Sequence, residues 1–81
     1  DIDAMLAAHA ITTPVALVDY FDRLLYDGAL DLARRSVLLE FANTDQAGAP
    51  SPFENLGASA RRTRLRELTG LILAAPEFQY Q

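Results

Sequence analysis

TTPVALVDYFDRLLYDG, residues 12–28, decides the fold. Thr13 offers a hydroxyl to cap a helix, and Pro14 follows at the first helical position, where its missing N–H costs nothing. Asp27 and Gly28 supply the stop, because glycine accepts the left-handed backbone that closes a helix. Between these signals Leu17, Val18, Phe21, Leu24 and Leu25 fall at spacings of three and four, with Asp19, Asp22 and Arg23 on the opposite side. That period is helical, and it predicts a helix over 14–26 with an apolar stripe wide enough to be covered on more than one flank.

Outward from this element the helical pattern repeats. Toward the N-terminus Ile2, Met5, Leu6 and His9 share one side of a helix predicted over 2–10. Toward the C-terminus a short Gly-Ala-Leu-Asp step leads into a second long helix over 31–43, with Asp31 as its cap and Leu30, Arg34, Val37, Leu38 and Phe41 setting the period. So short a connection predicts an antiparallel helix pair. Residues 44–57, TDQAGAPSPFENLG, hold two glycines and two prolines and no sustained period, so they read as a loop longer than most helix connections. A last helix over 59–75 carries Leu65, Leu68, Ile72 and Ala75 on one face with Leu71 beside them, and Pro76 ends it. No strand alternation and no internal repeat is present. The fold class is therefore all-α: one domain over 1–81, a small bundle of three to four helices with a long loop before the last.

Composition agrees and narrows the function classes. Hydrophobic residues make up 51 % and charged ones 22 %, a globular balance that rules out a wholly disordered tail. At 81 residues the core must be thin. The longest apolar run, residues 71–75, is far shorter than the roughly 20 residues a membrane-spanning helix needs. Without cysteine there is no disulfide framework, and cytosol, periplasm and exterior all stay open. Asp1 standing where a Met would begin a translated chain predicts a product processed or excised from something longer. Net charge is −4, with the first third acidic and a cluster of Arg61, Arg62, Arg64 and Arg66 late in the chain. Four arginines on an acidic domain are a far smaller basic footprint than nucleic-acid binding uses.

The candidate chemistry is sparse. Helical geometry puts Arg61 on the side of Leu65, Leu68 and Ile72 with Arg64 flanking it, while Arg62 and Arg66 point away. Arg61 and Arg64 then either lay their stems over apolar surface and pair with Asp19, Asp22, Glu40 or Glu54, or clamp a phosphate or carboxylate. His9 is the sole histidine, and Ser36, Ser51 and Ser59 lack nucleophile-elbow glycines, so no catalytic constellation is legible. Asp45 and Glu54 are too few and too far apart for a calcium loop, and no metal or cofactor site is expected. After Pro76 come Glu77, Phe78, Gln79 and Tyr80; an aromatic removed from water is worth a few kcal/mol, so a docked tail over 76–81 is expected, with Phe78 and Tyr80 as interaction residues.

The series TPVALVDYFDRLLYDGALDLARRSVLLEF, the arginine cluster and LTGLILAAPEFQYQ together resemble the C-terminal end of the bacterial proteins grouped as domain-of-unknown-function family 1800. The resemblance spans residues 12–81. It rests on Thr13, Pro14, Leu17, Val18 and Asp19, then Gly28, Leu30 and Arg35, then Arg61 or Arg62, and finally Pro76, Glu77 and Phe78. Ala75 departs from a common serine and Asp31 from a usual serine or threonine cap. The resemblance implies a larger, mostly helical parent exported to the periplasm or beyond, with no established activity and no catalytic residue to carry over. The resulting expectation is a non-catalytic module that contacts the remainder of its parent or another subunit. Two other readings stand beside it: a part of an exported enzyme that lends Arg61 or Arg64 to an anionic substrate site, and a free-standing acidic adaptor.

Overall fold

The structure, a computed structural model, describes residues 1–74 of the 81. Four α-helices, α1 (Ile2–Ala8), α2 (Pro14–Tyr26), α3 (Leu32–Ala42) and α4 (Ala58–Ala74), follow one another, with a short 3-10 helix at Phe53–Asn55 before the last. No strand is present among the described residues; one isolated bridge joins Thr44 and Pro50. The all-α bundle expected from periodicity is thus the observed architecture.

Local chemistry sets the helix ends. Thr13 caps α2 with its hydroxyl accepting from the Ala16 N–H at 3.2 Å, and Pro14 sits at the first position. Asp31 caps α3, its carboxylate accepting from the Arg34 N–H at 2.8 Å. The stop after α2 differs in detail from the sequence reading. Asp27 itself takes the left-handed conformation at φ 53°, and Gly28 follows at φ 81°. Two consecutive left-handed residues reverse the chain within the turn, and aspartate tolerates that region better than most side chains. The α1 helix ends two residues earlier than expected, because Ala10 also turns left-handed (φ 53°) and the Ile11 N–H closes back on the Leu6 carbonyl at 2.9 Å.

Helices α2, α3 and α4 pack pairwise around one core, and α1 lies against α4. Asp19 on α2 pairs with Arg35 on α3 at 2.7 Å, and inside that pair the Asp22 carboxylate accepts from the Leu30 N–H at 2.9 Å. Such nested pairs are what a chain folding straight back on itself makes. The core is built from Leu17, Val18 and Phe21 of α2, Leu38 and Ala42 of α3, and Leu65, Leu68 and Ile72 of α4, closed by Leu6, Ile11, Leu30 and Phe53. Thr69 is buried among them; its hydroxyl donates to the Leu65 carbonyl at 2.8 Å, so it carries no unmet polar cost.

Two faces depart from expectation. On α2 the apolar stripe is covered through Phe21, but in the last turn Leu24 and Leu25 are exposed while Tyr26 is buried, so only one side of that end is covered. On α3 the buried residues are Leu38 and Ala42, whereas Val37 and Phe41 face outward. The helix is rotated from the reading its period suggested. Apolar residues surround α3 on several sides, so the period alone did not single out one face.

Candidate functional site

The segment 43–57 is held by arginine and asparagine side chains rather than by secondary structure. Arg64, in the second turn of α4, is 9 % exposed. One of its terminal nitrogens donates to the Ala42 carbonyl at 2.8 Å and the Ser51 carbonyl at 3.0 Å, and the other to the Ser51 hydroxyl at 3.1 Å. Ala42 is the last residue of α3, where carbonyls lack intrahelical donors and the helix dipole is negative, so a cation is favoured there. Asn43 completes the clasp from the other side. Its side-chain oxygen accepts from the Phe53 N–H at 2.9 Å, its amide donates to the Leu39 carbonyl at 2.9 Å, and its own carbonyl accepts from the Ser51 N–H at 2.8 Å.

Further along, Asp45 folds the loop tip by accepting from the Ala47 and Ala49 N–H groups, both at 2.9 Å. The stretch read as a long loop is therefore a stapled Ω-like connection, fixed by polar groups that need it for their own satisfaction. Between it and α4 lies an open cleft of about 520 Å³ lined by Asp45, Gln46, Thr63, Arg64 and Glu67, spanned by a Gln46–Glu67 hydrogen bond of 2.8 Å.

Arg61 and Arg64 do not share a site. Arg61 is exposed; it donates to the Glu54 carbonyl at 2.7 Å and its guanidinium lies 5.5 Å from the centre of the Phe53 ring, within cation–π range. The expected ordering of the two is reversed: Arg64 is the inward residue, and Arg61 covers the 3-10 turn from outside. Their expected carboxylate partners are also replaced. Asp19 and Asp22 serve the α2–α3 hairpin, Glu54 contributes a backbone carbonyl, and Glu40 is paired with neither arginine. Backbone acceptors win because α3 and the loop deliver unsatisfied carbonyls to where the guanidinium groups arrive. Phe78 and Tyr80, with the rest of the expected tail over 76–81, lie outside the described residues, as does Ala75 at the expected end of the last helix.

His9 caps the end of α1 and stacks on Tyr20, ring centres 4.6 Å apart, with Nε2 3.4 Å from the tyrosine oxygen. Among the described residues no group of three or more His, Asp or Glu side chains is placed to hold a metal ion. No described helix is long and apolar enough to cross a membrane.

Sequence reasoning missed Asn43, Ser51 and Tyr26. Asn43 had a signal, an amide side chain just past the last helical period; the other two had none. Tyr26 is buried, and its hydroxyl has no partner among the described residues. Burial pushes its pKa up from the usual 10.0, an effect opposed by Arg34 and reinforced by Asp22. A raised folded-state value stabilises fully below the unfolded pKa and loses that stabilisation as pH climbs through the folded one. Tyr26→Phe is therefore expected to flatten the fall in urea midpoint as pH rises through the usual tyrosine value of 10.0 and above it. At neutral pH the same variant is expected to be unchanged or more stable by up to about 1 kcal/mol, since it removes an unmet hydroxyl. An alkaline limb identical in both proteins would contradict this.

No protein-family model, curated protein or solved structure matches the chain.

Proposed function

We propose that the chain is a non-catalytic helical interaction module belonging to the C-terminal end of a larger exported bacterial protein. The observation that carries this reading is α3, which is apolar on more sides than the bundle covers. Leu32 is 80 % exposed on one flank and Val37 54 % on the other, with Phe41 one turn beyond. A helix apolar around much of its circumference is normally enclosed, so a further surface is expected to close over it. Arg64 supports the same reading, because this candidate for an anion clamp instead holds the loop to α4. Resemblance to the family 1800 C-terminal region supplies the rest: the parent, its export to periplasm or exterior, and contact with the parent's remaining chain or another subunit.

The test compares backbone hydrogen exchange in the isolated 81-residue chain and in the native polypeptide, whose intact mass is measured alongside. Exchange in α3 is expected to slow at least about tenfold in the native assembly, with a mass well above 8.9 kDa. Equal protection in both, or a native monomer of 8.9 kDa, would overturn the proposal.

A further inference from the structure

A second concavity lies away from the stapled loop, between α1 and the first two turns of α4. It is a groove of about 340 Å³ whose floor is Leu6, Ile11 and Leu65, with Ala7 and Ala58 on its walls and Arg61 and Arg62 at its rim. Arg62 is exposed and has no partner among the described residues. Arg61 commits one donor to the Glu54 carbonyl and keeps the rest of its fork. Asp3 also lines the groove, but its carboxylate is engaged 3.6 Å from Arg66. On a chain of net charge −4 this is a local excess of positive charge beside an apolar floor.

We propose that this groove binds a single-chain amphiphile with a carboxylate head, a medium-chain fatty acid, with Arg61 and Arg62 on the carboxylate and Leu6, Ile11 and Leu65 beneath the alkyl chain. Charge complementarity selects the head, since a guanidinium fork matches a carboxylate in shape and sign. Volume selects the tail. The groove is at the lower end of the range of small-molecule sites, a size that suits one alkyl chain. The inference concerns the isolated chain and stands apart from the contact surface of α3.

Titration of the 81-residue chain with decanoate, followed by methyl and backbone NMR, tests it. Saturable one-to-one shifts are expected at Leu6, Ile11 and Leu65 below the micelle concentration, with 1-decanol binding at least roughly tenfold more weakly. Arg62→Gln removes no hydrogen bond or ion pair seen among the described residues and is expected to weaken decanoate by roughly tenfold. Arg61→Gln in addition should weaken it further. Equal affinity for decanol, unchanged affinity in Arg62→Gln, inorganic phosphate binding as well as decanoate, or no saturable shift would each overturn the proposal.

Discussion

Arg64→Met is expected to lower the unfolding free energy by about 2 to 3 kcal/mol. Two terms oppose each other. Removing the guanidinium relieves the cost of burying a charge, and methionine fills much of the stem's volume. Against that, the Ala42 carbonyl is left without a donor beside a fully buried residue, and the Ser51 carbonyl and hydroxyl lose theirs. Ser51 is half-buried and can recover water, but Ala42 cannot, so the loss outweighs the relief. For a chain of this length total stability is roughly 4 to 12 kcal/mol, which makes the effect large. Urea denaturation measures it, and hydrogen exchange should show the Ser51 and Phe53 amides, now held by Asn43, losing protection first. Arg64→Lys is expected to recover only part, because a single ammonium cannot reproduce the fork that reaches Ala42 and Ser51 together. Arg62→Met is the control and should stay within about 0.5 kcal/mol. If Arg64→Met matched that control, the loop would not depend on the arginine.

Leu38→Ala and Val37→Ala, adjacent on α3, should differ by more than any other neighbouring pair in that helix. Leu38 is 1 % exposed and packs in the core, so its truncation leaves a cavity and is expected to cost about 3 kcal/mol. Val37 faces outward, and its truncation should cost less than about 0.5 kcal/mol, with alanine's better helix propensity offsetting part of the loss. Equal destabilisation in the isolated chain would mean that α3 is turned toward the core by a different face. Within a native assembly, however, Val37→Ala should acquire a penalty, because the proposed contact surface includes it.

Much of this fold was legible because its boundaries are local. Thr13 with Pro14, and Asp31, placed the starts of α2 and α3 within one residue, since a cap needs only a side chain and the N–H two or three residues on. Leu17, Val18 and Phe21, and Leu65, Leu68 and Ile72, were legible as core because each row is apolar on one side of its helix. Arg61 and Arg64 were less so. Helical geometry marked both as near the inward side, but their order of burial depends on where the end of α3 and the 43–57 segment arrive. Tyr26 was illegible, lying at the end of its period where burial depends on what crosses it.

What the sequence by itself determined is the all-α class, the approximate starts of the long helices, the ends of α2 and α3, and the position of the connection between the last two. These follow from caps, prolines and period, all acting over a few residues. Only the tertiary structure decided which side of α3 is covered, that Leu24 and Leu25 stand in the open, and that Arg64 fastens the loop while Arg61 lies on Phe53. The physical reason is that burial and hydrogen-bond partnership belong to pairs of distant segments. A helix with apolar residues on several sides leaves that choice to its neighbours.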